Sequence, residues 1–254
     1  MVAIYAAPPA KAREERTVPT LAHALPELPS LFQPIVALRE GGDALARAVG
    51  MAPQHGAGTL AWVRSAARIE AAVVLEPEEP LGHARAALFA AANALADAAA
   101  AFGPPEIPIT FRWPATVLVN GAIVGRTRIA WAEGAAEDAA PDWLVVAVEA
   151  RLNFPPGWEG GMSPGETALQ EEGWEEDLSA PELTAAWARH LMANLAEWGR
   201  PGPHAGFRRL AERYLARLEG REEGVRRGIE PTTCDLVLER DGARERVALL
   251  DSLA

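Results

Sequence analysis

The spacing of apolar and polar positions changes repeatedly along the chain, and each change marks an expected element. LFQPIVAL (31–38) reads as a strand interrupted by Pro34, and GGDALARAVG (41–50) as a short helix capped by Asp43 and stopped at Gly50. GTLAWVRS (58–65) and RIEAAVVLEP (68–77) are rich in β-branched and aromatic residues and stand two residues apart, which predicts a hairpin. Residues 79–103 form the longest helical pattern, with Pro80 in the first turn, Gly103 at the end and small alanines that allow close approach to a sheet. Strand patterns then follow at 109–114, 116–121, 122–132 and 142–154, with Asn120-Gly121 as a tight turn between the middle two and a polar loop at 133–141. The Pro-, Gly- and Glu-rich stretch 155–178 is a long loop, of the length that often carries function. Residues 179–199 form a helix with Ser179 as N-cap, Pro181 and Glu182 in the first turn, and Leu183, Trp187, Leu191 and Leu195 on one face. A second amphipathic helix spans 206–220, and the tail 232–253 reads as two strands around Asp241-Gly242.

Strands and helices fall in separate runs, so the expected class is α+β, with a mainly antiparallel sheet flanked by helices. The expected organisation is an irregular N-terminal arm (1–30), a main domain (31–200) and a small C-terminal helix-plus-strand module (201–254).

Composition narrows the function. At 254 residues and 49% hydrophobic, the chain is long and apolar enough for a packed core. A net charge of −11 disfavours nonspecific binding to nucleic acid or to an anionic membrane, so neither is an expected partner. No stretch reads as a membrane span, and the N-terminus lacks a basic segment before an apolar core; a cytoplasmic protein is expected. Cys234 stands alone and the five histidines are scattered, so no disulfide framework and no metal site are expected. Of the 24 basic residues, 23 are arginine and the one lysine is Lys11, so no lysine is available anywhere downstream for chemistry.

FRWPATVLVNGAIVGRTRIAW (111–131) sets a basic residue before Trp-Pro and then two strand runs around Asn-Gly. This resembles the hairpin of the biotin and lipoate protein ligases; Arg112, Trp113, Pro114, Asn120, Gly121 and Gly125 fit its outline. LVVAVEARLNF (144–154) is similar to the later ligase strand, with Asn153 at its asparagine. The order of elements upstream follows the ligase core as well, and the resemblance covers roughly residues 31–200, closest to a bacterial biotin/lipoate A/B ligase-like subgroup with a short C-terminal extension. Three departures stand out. The family's lysine falls at Ile123; the glycine-rich adenylate loop is replaced by WVRSAARIE (62–70), which keeps only Arg64 and Arg68; and the polar pair after Trp-Pro is Ala115 and Thr116. Octanoyltransferases, on the same fold, use no ATP but need a lysine and a cysteine, and Cys234 lies outside the matched core, where a small buried hydrophobe is the better reading.

The resemblance implies a ligand site between sheet and hairpin, lined by Arg112, Trp113 and Gly125, with Arg64 or Arg68 near an anionic group. Arg126 joins this set because guanidinium forks match carboxylates. Strand alternation puts it on one face with Arg128, opposite Thr127, where a solvated sheet face is the simpler reading. Trp113 serves equally as a core aromatic, Gly125 as a point of close approach by ligand or backbone or a bulge, and Asn153 as a turn cap. The implied ligands are biotin, lipoate or octanoate with ATP. The implied partner is an acyl-carrier or biotin-carrier protein that accepts the biotinyl, lipoyl or fatty-acyl group. No catalytic residue is identified, because adenylate formation needs preorganised cations and amides that this chain lacks. The alternative is a non-catalytic ligand-binding or protein-interaction protein on the same scaffold.

Overall fold

The computed structural model describes residues 24–155, 157–158, 161–199 and 205–253. Most of the expected N-terminal arm, with Lys11, lies outside the described residues. Strands β1 (Ile35–Leu38), β2 (Leu60–Val63), β3 (Arg68–Leu75), β4 (Ile109–Arg112), β5 (Thr116–Val119), β6 (Ala122–Trp131) and β7 (Leu144–Arg151) form one sheet. Their spatial order is β1-β2-β3-β7-β6-β5-β4. Only β1 and β2 run parallel; the other neighbours are antiparallel, so the expected α+β class with a mainly antiparallel sheet is what the chain adopts.

Alternation along β7 explains the layering. Leu144, Val146, Val148 and Ala150 point to one face, under helices α3 (Ala87–Phe102), α4 (Ala180–Trp198) and α5 (Ala205–Arg217). Val145 and Ala147 point to the other, under helix α1 (Ala44–His55). Ala44, Ala48 and Ala52 of α1 meet Ala61, Ala72 and Ala147 of the sheet, small residue against small residue, which brings the helix close to the strands. Because α1 crosses β2, β3, β7 and β6 at one end of these strands, the face at their other end stays open. Glu149 and Arg151, the next outward positions on β7, lie beyond its cover.

The caps follow the expected chemistry. Asp43 accepts from the Ala46 N–H at α1, and Ser179 with Glu182 forms a capping box at α4. Asn120-Gly121 and Asp241-Gly242 both turn with positive φ, as a two-residue hairpin requires. Three expectations are corrected. Helix α1 runs through Gly50 to His55 and ends at Gly56 (φ 69), because Met51 and Ala52 still find the core. The long helix is two pieces, α2 (Leu81–Ala84) and α3; i to i+3 bonds from Ala86 to His83 and from Leu88 to Arg85 tighten the chain between them. Buried Arg85 then pairs with Glu137 and lies over the Trp131 ring. Finally, the tail adds a third strand. β8 (Arg226–Ile229), β9 (Leu236–Arg240) and β10 (Ala243–Val247) form a small sheet, closed by α6 (Leu249–Ser252). One apolar cluster runs from Phe32 through α5 to Leu249, so the small sheet shares the main core.

The Asp43 cap has a measurable weight. Its carboxyl is held below the usual 3.8, chiefly by the Ala46 N–H and further by Arg128. A depressed pKa contributes stability above the ordinary carboxylate range, and that contribution disappears as pH falls below it. Asp43→Ala is expected to cost about 1 kcal/mol at neutral pH. In urea denaturation at a series of pH values, the gap between variant and wild type should close below pH 3.8.

Candidate functional site

The open part of the α1-side face carries a cross-strand grid of charge. On β3, Arg68 and Glu70 face outward; directly opposite on β7 stand Arg151 and Glu149. Arg126 of β6 is opposite Glu149, and Thr116 of β5 and then Arg112 of β4 continue that row to the sheet edge. Arg68 thus faces Arg151, and Glu70 faces Glu149. Like charges in direct cross-strand register are unfavourable unless each has another partner. The partners are present. Arg68 grips Glu70 through two nitrogens at 3.0 and 3.2 Å, Arg126 reaches Glu149 at 3.4 Å, and Arg151 reaches Glu166 at 3.1 Å.

Arg68, Arg126, Glu149, Arg151 and Glu166 line a cavity of about 410 Å³ with Thr116, Ile123 and Gly125 in its wall. Glu166 gets there because the middle of the long loop runs beside β6. The Ile123 N–H donates to Gly165 O, and the Thr167 N–H donates to Ile123 O, each at 2.8 Å. Gly125 has a purely backbone reason to be glycine: a Cβ would run into Glu149 O and sit 2.7 Å from Ala150 Cα. An irregularity in the β5–β6 register stands next to it.

A second cavity, of about 560 Å³, lies on the other side of the β2–β3 turn. Trp62, Leu178, Ala180 and Pro181 give it apolar walls, and Arg64, Asn153 and Gln170 reach it, with carboxylates from Glu40, Glu176 and Asp177. Asn153 donates to Ala66 O and so also ties the turn to the end of β7.

The residues singled out from the sequence therefore divide. Arg68, Gly125 and Arg126 line the first cavity; Arg64 and Asn153 line the second. Arg112 shares the face of Arg126 but lies two strands away and pairs with Glu219. Trp113 packs on the opposite side, against Phe89 and Tyr214, and donates its indole N–H to Ser252. Arg128 turns toward α1 and pairs with Asp43 and Glu70. Cys234 is buried under α2, and burial pushes its thiol up to about 12, so no thiolate is available. The sequence reading missed Arg151, Glu70 and Glu149, and it takes Glu166 only as part of the acidic run 166–177, which could offer carboxylates to a cation or partner but is more simply a solvated loop. A signal existed for the first three: polar residues at alternate positions at the ends of otherwise apolar strands.

Residues 28–216 match the Biotin/lipoate A/B protein ligase family, which is most of the chain. The chain belongs to that family. A biotin protein ligase-like protein of unknown function from Silicibacter sp. TM1040 is similar in structure, with 28% identity, a TM-score of 0.75, and coverage of 91% of this chain and 100% of its own. The biotin protein ligase of Aquifex aeolicus, solved with biotin, shares the fold at 13% identity and a TM-score of 0.62, covering 86% of this chain and 96% of its own. The biotin protein ligase of Leishmania major, also solved with biotin, aligns at 13% identity and a TM-score of 0.54, over 84% and 98%. No curated protein matches by sequence. Among the described residues no helix is long and apolar enough to cross a membrane.

Proposed function

We propose that this family member binds a small carboxylic acid of the biotinyl, lipoyl or fatty-acyl class in the arginine-lined cavity, and holds it without activating it. The observation that carries this reading is the set of guanidiniums on the cavity wall, each kept by a carboxylate that differs in how easily it yields. Arg68 and Glu70 form a nearly buried fork that is costly to open. Arg126–Glu149 and Arg151–Glu166 are solvent-exposed pairs, worth about 0–1 kcal/mol each. A ligand carboxylate displaces such pairs at little cost, while Ile123 and Val124 offer the apolar wall that an acyl stem needs.

Activation is the part the residues do not support. The resemblance puts the family's lysine at Ile123, and the cavity wall there is apolar. The second cavity does not suit ATP. It brings one guanidinium against the carboxylates of Glu40, Glu176 and Asp177, which repel a polyphosphate. A carrier protein remains a partner of the ligand reading: a held acid is presented to, or collected from, a carrier domain.

Thermal melting with biotin, lipoate and octanoate, each with and without ATP, tests the reading. A ligand that binds only the native state must raise the melting temperature. One of the acids should do so, with no pyrophosphate released when ATP is added. No shift with any of them sinks the proposal, and pyrophosphate release would replace it with ligation. Arg126→Ala and Arg151→Ala should each weaken acid binding about tenfold, the size of a lost charged hydrogen bond. Calorimetric titration reads this, and unchanged affinity in both variants would remove the cavity from consideration.

A further inference from the structure

The open face has a second place suited to an anion, and the chain has filled it. Helix α1 begins against the sheet with the Ala44 N–H directed at the β3 strand, while the Ala46 N–H goes to the Asp43 cap. Its first turn carries no acidic residue apart from the Asp43 cap. The positive end of a helix favours an anion there. Glu70, 26 positions away in sequence, supplies it: Oε1 accepts from the Ala44 N–H at 2.9 Å and lies 3.8 Å from Arg128, while Oε2 takes both nitrogens of the Arg68 fork. The side chain is only 7% exposed. It is therefore a buried carboxylate that accepts hydrogen bonds from a helix end and from Arg68 on its own strand, with the Arg128 guanidinium of β6 as a further ion-pair contact.

We propose that Glu70 is a specificity-determining residue that acts as a built-in carboxylate ligand. It occupies the anion site between α1, Arg68 and Arg128, bars an incoming acid from that end of the face, and so directs the acid group to Arg126 and Arg151. This rests on the acid-binding reading for its consequence, but not for its first step. The contrast between the two ends is physical. An acid that enters at α1 must expel a buried carboxylate with all its donors, whereas at Arg126 or Arg151 it replaces one exposed, loosely held partner.

Chemical rescue tests it. Glu70→Ala should melt below the wild type, and sodium formate should restore much of the loss in a saturable way. Sodium chloride at equal ionic strength should not, and formate should stabilise the wild type much less than the variant. Glu70→Ser, which opens the same space and keeps a small polar group on β3, serves the same purpose where the alanine variant does not fold. Formate that fails to exceed chloride in the folded variant, or that stabilises the wild type equally, overturns the proposal. The acid panel on the wild type is a separate readout: rescue by formate in a protein that binds none of the acids upholds Glu70 as the internal ligand and refutes only the ligand reading.

Discussion

Gly125→Ala is expected to remove about 3 kcal/mol of stability, the upper end of the range for overpacking a tight site. The atoms that a Cβ would meet are Glu149 O and the Cα and carbonyl carbon of the same stretch of β7, all backbone. No rotamer change relieves such a contact, so β6 and β7 must separate at the point where the sheet is centrally paired. The control is the same replacement at Gly228, a glycine in β8 with nothing within 4 Å of its Cβ position. There alanine should be neutral, or stabilise by up to about 0.5–1 kcal/mol through the unfolded chain. Urea denaturation of both variants measures the difference. Equal effects at the two sites would mean that strand propensity, rather than the approach of β7, keeps glycine at 125. Since Gly125 also lines the arginine cavity, its alanine variant should lose acid binding only in step with its loss of fold.

Much of the architecture is legible in the sequence because local chemistry and global fold agree at those places. Ser179 with Glu182 and Asp43 announce helix starts, and Asn-Gly and Asp-Gly announce hairpins. The apolar run Leu144–Val148 announces a strand. Reading fails where tertiary contact overrides a local rule. Gly50 is a plausible helix stop, yet the next turn is retained because it buries Met51 and Ala52. β8 has no apolar alternation to reveal it, only Arg-Arg-Gly-Ile, and it exists because β9 pairs with it. The candidate site shows the same limit. Arg112 and Trp113 are neighbours in sequence, so strand alternation alone requires them to face opposite ways, and they do: one toward the open face, the other into the aromatic cluster with Phe89 and Tyr214. What alternation cannot supply is register. That Arg68 opposes Arg151, and Glu70 opposes Glu149, follows only once β3 and β7 are paired, although 80 or so residues separate them in the chain.

Trp187→Ala is the largest loss expected of any single side chain, about 3–5 kcal/mol, out of the 5–15 kcal/mol typical of a folded domain. Trp187 is fully buried in α4, and its indole N–H donates to Ala91 O on α3 at 3.2 Å. The two helices pack on each other, and α3 presents alanines over much of its length, short side chains that cannot reach into the space that the indole leaves. Trp187→Phe keeps most of the volume and should cost far less. Guanidinium denaturation of the three proteins gives the ordering directly; an alanine variant within 1.5 kcal/mol of wild type, about the cost of a volume-conserving swap, would mean that α3 and α4 collapse over the gap. The comparison also bears on function, because the sheet separates the two roles. Trp187 belongs to the helical layer on one face, and Arg126 and Arg151 belong to the open face on the other. At a temperature where the Trp187→Ala protein is still folded, its affinity for the acid should equal that of the wild type. Arg151→Ala should show the reverse, nearly wild-type stability with weakened binding. A Trp187 variant that is folded and yet fails to bind would place the ligand on the helical side of the sheet.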